Sequence, residues 1–493
     1  MLCVSILVVN LDNTILNVAL PTLVRKLGAT SSQLQWIVDA YAMVYAGLLL
    51  VGGSLADRFG RKRLFLIGLT IFAGGSVSAA FSGSVATLIA WRAVMGAGAA
   101  LTMPATLSLI NDLFRDPHER SRAIGLWAGT SGLGIAIGPI AGGVLLAHFW
   151  WGSVFFVNVP IVAAGLIGAA LLVPESSNPH AARPDPVGGL LSIVSLGLIL
   201  WAIIEAPTHG WGSAGVLGVG FAGLAALAVF VIWEVRCEHP MLDLGLFRAR
   251  RFSAATSSVA LGAFGLFGAL FVQTQFLQFN LRLSALQAGV RILPLAAMIA
   301  LAAPLSTLAV RSIGSKLPAG AGLLFIAGGL WWISRVSGAS TTYAQILPGM
   351  LLVGLGAGLL IPTATDAVVG SLPRADAAVG SATNGVSIQV GGALGVAVIG
   401  SILVTRYQDL MSGALAAAPL PAAAKAAALG SIGGALEVAG KLPGAFGSEL
   451  MGRAGPAFMS GSAVAMGIGA AVALAGALVA FAALPSRPGP PRP

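Results

Sequence analysis

The sequence predicts an all-α membrane protein whose chain crosses the bilayer fourteen times. Hydrophobic residues make up 57% of the 493 residues, and charged residues make up only 9%. Soluble domains carry about 25% charged residues, so lipid must solvate most of this chain. The chain also contains 66 glycines, and small residues let membrane-spanning helices approach each other closely. The two cysteines lie far apart and indicate neither a disulfide framework nor a metal site.

Apolar stretches of about 20 residues, the length that a spanning helix needs, recur along the whole chain. The first stretch, MLCVSILVVNLDNT, lacks the basic region and cleavage site of a signal peptide, so we interpret it as part of the first span. The predicted spans are residues 2–21, 34–56, 63–82, 85–110, 122–146, 151–173, 187–206, 214–234, 253–280, 286–309, 319–337, 345–368, 378–404 and 461–484.

These spans group into two blocks of six around a central pair. LAVRSIGSK, at 308–316, is a degenerate copy of LADRFGRK, at 55–62, and each follows the second span of its block. Such internal repeats are typical of transporters built from two related bundles. The predicted divisions are an N-terminal six-helix bundle at 1–173, linkers with spans 7 and 8 at 174–250, a C-terminal six-helix bundle at 251–484, and a tail at 485–493. Within the C-terminal bundle, the Ala-, Gly- and Pro-rich outer loop at 406–460 is expected to hold at most one short surface helix.

Basic residues predict the orientation in the membrane. Of the 27 Lys and Arg residues, 17 lie in loops or the tail on the side of residues 57–63, and 9 lie in loops on the opposite side. Because basic loops collect in the cytoplasm, and because fourteen is even, both termini are expected to be cytoplasmic. The net charge of +10 then reflects topology rather than binding to nucleic acid. The Ala-, Gly-, Pro- and Arg-rich composition favours a bacterial inner membrane as the location.

Four local motifs lie in or beside the first five spans. They are LDNTILNVALP at 11–21, Gly53-x-x-x-Asp57-Arg58-x-Gly60-Arg61-Lys62, Arg92-x-x-x-Gly96-x-Gly98-Ala99-Ala100, and Gly134-x-x-x-Gly138-Pro139-x-x-Gly142-Gly143. With these motifs the chain resembles the major facilitator superfamily, specifically its fourteen-spanner drug:proton antiporter branch. The resemblance implies the major-facilitator fold, with two six-helix bundles and two extra transmembrane helices between them. Met95 and Ile388 depart from the family pattern, which often has Gln and Arg there.

The loop between spans 2 and 3 combines glycines, bases and one acid. Gly53 and Gly60 permit close packing and a tight turn, and Arg58, Arg61 and Lys62 anchor the hairpin to the cytoplasmic side. A topology signal alone would explain the bases but not Asp57. An acid near a helix N-terminus is favoured by the helix dipole, and the resemblance implies that Asp57 acts as a latch of the outward-open state. Val310 stands at the corresponding position of the second-half motif, so we expect that half to lack the latch.

The fifth span places three glycines on one helix face. Gly134, Gly138 and Gly142 recur every four residues, and Pro139 beside them can bend the helix. Gly143 completes the motif. The resemblance implies that this face seals the two halves against leak, whereas generic packing of small residues is the alternative.

Charged residues inside the spans are the strongest functional signal. They are Asp12 in span 1, Asp39 in span 2 nearer the outer surface, Arg92 in span 4 and Asp366 in span 12. Each costs about 2.5 to 3.5 kcal/mol at a helix centre, so these side chains should pair, become neutral or face a wet cavity. A purely structural pair of Asp12 with Arg92 would leave two acids unpaired, and unpaired acids in a low dielectric exchange protons near neutral pH. We therefore predict a proton-sensitive Asp12–Arg92 pair, with Asp366 facing a central cavity and Asp39 serving proton entry or cation recognition.

Polar residues on two spans are predicted to line the substrate cavity. Asn13 and Asn17 are four residues apart and share a face of span 1, although such residues also join helices by hydrogen bonds. Span 9 carries a polar stripe of Gln273, Gln275 and Gln278, with Phe271, Phe276 and Phe279 interleaved. Packing between helices is the alternative to cavity lining for this stripe as well.

These observations favour a proton-coupled multidrug efflux antiporter that exports amphiphilic or cationic compounds by alternating access. A dedicated exporter of an endogenous metabolite or antibiotic is the first alternative, and an uptake symporter, which the motif in span 5 disfavours, is the second. An enzyme is excluded because the sequence has no nucleophile elbow, metal-binding cluster or phosphate-binding loop. No cofactor is expected, because the energy source is a proton gradient. The expected partners are a small-molecule substrate, protons and the lipid bilayer, and the protein is expected to be a monomer.

Overall fold

The computed structural model describes residues 1–114, 116–177, 183–372, 377–416, 418, 420–442 and 444–485. Within these residues the chain is helical, without β-strands. Fourteen helices in the described part of the chain are long and apolar enough to cross a membrane, which confirms the predicted number of spans. The predicted tail from residue 486 onward and the middle of the predicted linker, 178–182, lie outside the described residues.

The first nine helices carry spans 1 to 8. They are α1 (Cys3–Leu27), α2 (Ser31–Phe59), α3 (Arg61–Ala80), α4 (Val85–Leu113), α5 (Pro117–His148), α6 (Ser153–Phe156) and α7 (Asn158–Leu172), which together form span 6, α8 (Pro186–His209) and α9 (Ala214–Arg236).

The remaining helices carry spans 9 to 14. They are α10 (Arg250–Gln275), which continues as a π-helical turn (Phe276–Asn280), α11 (Ala285–Ile313), α12 (Lys316–Val336), α13 (Tyr343–Gly370), α14 (Ala377–Ala416), α15 (Ala422–Gly430), α16 (Ile432–Lys441) and α17 (Gly444–Ala483). A short 3₁₀ helix (Leu244–Arg248) precedes α10.

Four helices begin with the same capping arrangement, in which the backbone N–H of a Ser or Thr donates to a side chain three residues later. The pairs are Thr30 and Gln33 on α2, Ser84 and Thr87 on α4, Ser284 and Gln287 on α11, and Thr342 and Gln345 on α13. This reciprocal cap satisfies backbone donors that the first helical turn leaves free. Because these helices are the second and fourth of each block of six, the caps repeat with the two bundles.

The turn between the second and third spans is also similar in the two bundles. Gly60 between α2 and α3 has φ of 112°, and Gly314 between α11 and α12 has φ of 76°, a region that glycine adopts without strain. The backbone N–H of Arg61 donates to the carbonyl of Ser176 at 2.8 Å, and that of Lys316 donates to Pro485 at 3.2 Å. In each half, the segment after the sixth span therefore closes over the start of the third span.

The two halves pack together at one end of the helices. We call the membrane side of the 57–63 turn the turn side and the opposite side the far side. On the far half of the molecule, Ser401 on α14 donates to Gln35 on α2 at 3.2 Å, and Gln278 donates to the Val18 carbonyl on α1 at 2.8 Å. Contacts between the halves reach past the middle of α2, where Leu49 meets α14 at Gly385.

Towards the turn side, much of the surface of α5 is not covered by other helices. A side chain at Gly125, Gly129 or Gly132 would meet open space, and Leu126 and Leu133 are 70% and 57% exposed. The structure is therefore closed on the far side and more open on the turn side.

The expectation of little structure in the outer loop is wrong. α14 extends to Ala416, α15 and α16 follow, and α17 begins at Gly444, well before the predicted start of span 14. Tyr407 donates its hydroxyl to the Ala428 carbonyl at 2.8 Å, which ties α15 to α14. On α16, Gly433 packs against Val24 and Phe279, so this helix covers the far ends of α1 and α10. Burial of this loop against three spans stabilises helices that its composition alone does not favour.

The extra helices α8 and α9 form a hairpin beside the two bundles. α8 runs antiparallel to α2, with Ile193 against Gly47 near the middle. Its far end contacts both halves, because the Ile204 carbonyl accepts from Ser32 at 3.2 Å, and Trp211, just beyond the helix, donates to Thr405 at 2.9 Å. α9 lies outermost, and its apolar side chains are largely exposed, as a lipid-facing helix requires.

Candidate functional site

Arg92 and Asp12 form an ion pair inside the N-terminal half, where their side chains are 0% and 1% exposed. One guanidinium nitrogen of Arg92 donates to Asp12 Oδ2. The other carboxylate oxygen, Oδ1, accepts from the Asn158 amide at 3.0 Å. A buried ion pair is costly unless hydrogen bonds also satisfy its remaining atoms. Both oxygens of Asp12 are satisfied here, whereas one guanidinium nitrogen of Arg92, Nη2, has no hydrogen-bond partner among the described residues.

Arg92 is held by α2 as well as by Asp12. Its Nε donates to the Ile37 carbonyl at 3.0 Å, and its guanidinium carbon lies 4.4 Å from the centre of the Tyr41 ring. Cation–π contact with a desolvated ring adds to the attraction. The pair therefore joins α1, α2 and α4 at one point.

Two members of this cluster were missed by the sequence analysis. Asn158, which is fully buried, starts α7 and donates to both Asp12 and, at 3.2 Å, the hydroxyl oxygen of Ser76 on α3. A single Asn or Ser in a span is more often a link between helices than a functional residue. The sequence signal that was available is the Asn-x-Pro step at 158–160, a polar break inside an otherwise apolar span.

Asp39 lies two helical turns inside α2 and is 0% exposed. Neither carboxyl oxygen has a hydrogen-bond partner among the described residues. Gln35, one turn earlier on the same face, bonds to Ser401 of α14, and Ala42, one turn later, packs in a cluster with Ala393 and Ala397 of the same helix. Asp39 therefore lies on the face of α2 that closes against the C-terminal half.

Asp366 lies in the last two turns of α13, towards the turn side, and is exposed. It has no ion pair among the described residues. The structure thus separates the four predicted charges into a buried pair, one buried acid at the contact between the halves, and one exposed acid towards the turn side.

Asn17 and the predicted cavity residues of span 9 lie in the packed far half of the molecule, and Asn13 lies near the middle of α1. The Asn17 amide donates back to the Asn13 carbonyl at 2.9 Å, and Asn13 is half-buried. On span 9 the stripe is 2–3% exposed, and it comprises Gln273, Gln275, Phe276 and Gln278. Gln275 donates to a carbonyl of its own helix at 3.1 Å, whereas Gln278 reaches α1 across the contact between the halves. Cavity lining stays a prediction for conformations in which this contact opens.

The charged turn is held together within the N-terminal half. Arg61 pairs with Asp57 at 2.7 Å and also with Asp112 at the end of α4. Asp57 lies in the last turn of α2, so the helix-dipole argument for it is wrong. The acid at the N-terminus of α3 is Glu175, whose oxygens accept from the backbone N–H groups of Lys62 and Arg63 at 3.0 and 3.2 Å.

Close packing in this motif occurs at Gly52 rather than at Gly53, where it was expected. A Cβ atom at Gly53 would meet Pro104 at an ordinary 3.5 Å, whereas one at Gly52 would overlap the Ala100 backbone. Gly60 makes the turn as predicted, and Arg58 is exposed beside it. The Lys62 ammonium donates to the Ala170 carbonyl at 2.8 Å, which adds a link to α7.

The glycine face of α5 packs within its own half rather than between the halves. A Cβ at Gly134 would lie 3.0 Å from the Leu7 carbonyl, one at Gly138 would overlap Thr14, and one at Gly142 would lie 3.3 Å from the Ile15 carbonyl. These three contacts are with α1, so the expected seal by this face is wrong.

The neighbouring face of α5 makes the contact between the halves. A Cβ at Gly143 would lie 3.0 Å from the backbone nitrogen of Leu286, and one at Gly289 would overlap the Pro139 backbone. Both partners are on α11. Pro139 and Gly143 are thus the residues of the motif that close the far side.

Comparison with known proteins identifies the family. The model of the Major Facilitator Superfamily matches residues 2–396, which is more than half of the chain. The chain belongs to the Major Facilitator Superfamily. As a member of this superfamily it is a membrane transporter and not an enzyme, and its fourteen spans fit the fourteen-spanner branch.

Relatives in this superfamily match almost the full chain. It is 37% identical over 478 residues to the multidrug efflux pump LfrA of Mycolicibacterium smegmatis, covering 97% of this chain and 94% of that one. It is 34% identical over 483 residues to the tetracenomycin C resistance and export protein of Streptomyces glaucescens, covering 97% and 89%.

The fold is that of other superfamily transporters. A crystal structure of a bacterial homologue of the human lysosomal transporter Spinster, in an inward-facing and occupied conformation, superposes with a TM-score of 0.64. The match covers 98% of this chain and 96% of that one at 18% identity. The major-facilitator fold predicted from the sequence is confirmed.

Proposed function

We propose that this protein is a proton-driven exporter of amphiphilic, cationic compounds from bacterial cells. The direction of transport is supported by relatives that are named for efflux or resistance and match at least 93% of this chain. The observation that carries proton coupling is the pair of buried carboxyl sites, Asp12 and Asp39, of which only Asp12 has partners. Buried acids of this kind are costly unless they pair or bind a proton.

The turn side is the cytoplasmic side in this proposal, since basic residues concentrate there. The conformation described above is then inward-facing, and Asp366 is exposed to the compartment from which an exporter takes its substrate. A carboxylate open to that side attracts a cationic substrate and disfavours an anionic one.

α2 links the two buried acids. Its Ile37 carbonyl and Tyr41 ring hold Arg92 against Asp12, while Asp39 is directed from the opposite face toward α14. A change in the Arg92–Asp12 pair on protonation would therefore alter the packing of the helix that closes the far side. We infer that Asp39 carries a proton in the inward-facing conformation, because its neutral form is the cheaper one to bury without a partner. Opening of the far side exposes it to external protons.

The test uses proteoliposomes containing the purified protein with an imposed pH gradient. Addition of ethidium or a quaternary ammonium compound should release protons from the lumen as the compound enters. Compound-dependent proton movement that is absent in Asp39→Asn and Asp12→Asn, while Arg248→Asn retains it, would support antiport through these acids. Compound uptake that proceeds without proton movement, or at equal rates without a pH gradient, would contradict the proposal.

A dedicated exporter of one antibiotic is the second candidate. It is favoured by the relative named for export of tetracenomycin C, which matches as much of this chain as the multidrug pump does. Proton movement that responds to one polyketide or nucleoside antibiotic but to none of a panel of lipophilic cations would favour this candidate over multidrug export.

A further inference from the structure

A cavity of about 420 Å³ lies on the turn side, where α8 begins and α9 ends. It is outside the cluster around Asp12, and the proposed transport mechanism does not use it. Charged, aromatic and titratable side chains line its wall, among them Arg183, Trp233, Arg236, Glu238 and His239.

Two guanidinium groups in this wall have no partner among the described residues. Within the described part of the chain, Arg183 and Arg236 have no ion pair or hydrogen bond, and the carboxylate of Glu238 has none either. Asp185 is already engaged, since its two oxygens accept from the Gly188 N–H and the Trp233 indole, both at 2.9 Å. Guanidinium groups that face a shared space are suited to bind a phosphate group.

Acidic groups nearby argue against a purely anionic ligand. Glu238 is free on the wall, and the buried Glu234 lies behind Gly188 with its Oε1 without a partner among the described residues. A ligand that carries both a phosphate and an ammonium group matches this mixture of charges better than a phosphate alone.

An apolar strip leads from the cavity into the membrane. Val187 lines the cavity, and Val187, Leu190 and Val194 are 42%, 61% and 42% exposed. Their spacing of three and four residues places them on one face of α8. Trp233 at the cavity wall is the residue type that anchors helices at the level of lipid headgroups. A polar pocket at the end of a lipid-facing apolar strip fits a headgroup with its acyl chain.

We propose that this cavity binds the headgroup of an amine-bearing glycerophospholipid, of the phosphatidylethanolamine type. Arg183 and Arg236 bind the phosphodiester, Glu238 binds the ammonium group, and one acyl chain lies along the strip formed by Val187, Leu190 and Val194. The lipid so bound joins the extra hairpin to the membrane on the turn side.

The test is native mass spectrometry of the full-length protein purified in detergent and titrated with dioleoyl phosphatidylethanolamine or dioleoyl phosphatidylglycerol. Near a membrane surface each basic residue contributes about fivefold to binding, so Arg183→Gln/Arg236→Gln should weaken binding of both lipids about thirtyfold. Glu238→Gln should abolish the preference for phosphatidylethanolamine. Arg248→Gln, an exposed arginine on the same side, is the matched control and should bind as the wild type does.

Three results would overturn this proposal. One is a wild-type preference for phosphatidylglycerol, which would assign an anionic lipid instead. Another is equal binding by the double arginine variant and the control, which would mean that the lipid is bound elsewhere. The third is complete displacement by millimolar inorganic phosphate, which would identify a site for a soluble phosphate compound rather than a lipid.

Discussion

Asp12→Asn should separate the structural role of the buried pair from its role in proton coupling. Removing one partner of a buried ion pair costs about 3–5 kcal/mol, because it leaves the other charge uncompensated. Arg92 keeps its bond to the Ile37 carbonyl and its contact with the Tyr41 ring, and Asn fills the same volume as Asp. We therefore expect Asp12→Asn to lower the free energy of unfolding by about 3 kcal/mol, the lower limit of this range.

The second variant removes both charges. Replacing a whole buried pair by well-packed hydrophobic residues of similar volume is often neutral or stabilising, so Asp12→Leu/Arg92→Met should regain all but about 1 kcal/mol of the loss. The assays are thermal denaturation in detergent, followed by tryptophan fluorescence, and compound-driven proton movement in proteoliposomes. If Asp12 carries the coupled proton, the double variant should be stable and still fail to move protons.

Recovery of proton movement in the stable double variant would refute the reasoning. The pair would then be structural, and the coupled proton would have to bind elsewhere. A double variant that is no more stable than Asp12→Asn would refute the magnitude, since it would show that Arg92 is not left uncompensated by the single change.

Three further substitutions test the packing and the charges. Gly138→Ala should cost about 1–3 kcal/mol, because its Cβ would overlap Thr14, whereas Gly129→Ala on the same helix meets open space and should leave the melting temperature unchanged or slightly raised. Gly60→Ala should cost about 1–2 kcal/mol through its positive φ, measured against the same Gly129→Ala control. Asp39→Asn should change stability by less than about 1 kcal/mol if that carboxyl is neutral in this conformation, and a loss of several kcal/mol would indicate a charged Asp39.

The sequence predicted the number of spans and the fold because both follow from strong, local signals. Apolar stretches of membrane length and basic loops are readable one segment at a time. The outer loop was misjudged for the opposite reason. Its Ala- and Gly-rich composition gives no amphipathic pattern, and its helices are held by contacts such as that of Gly433 with Val24 and Phe279, which join residues distant in the chain.

The charged residues of the site were predictable from the sequence, but the polar residues that bond to them were not. Asp12 and Arg92 stand out because a charge in a span requires an explanation. Asn158 and Ser76 are ordinary polar residues, and only the packing of α3, α7 and α1 brings them to the pair. The faces of α5 could not be assigned from spacing either, since spacing identifies residues that share a face without identifying the helix that the face meets.

The position of α8 has a consequence for how a fourteen-span carrier moves. α8 packs antiparallel to α2, and it packs as well against α14, through the buried cluster of Leu200 and Ile204 with Ala393 and Ala397. When the halves separate on the far side, the hairpin can stay with only one of them, because α8 packs against both α2 and α14 to a similar extent. The motion then breaks one of these two contacts as well as the contacts between the bundles. The hairpin is thus a bridge between the two halves, and breaking its contact with one of them adds to the free energy that outward opening requires.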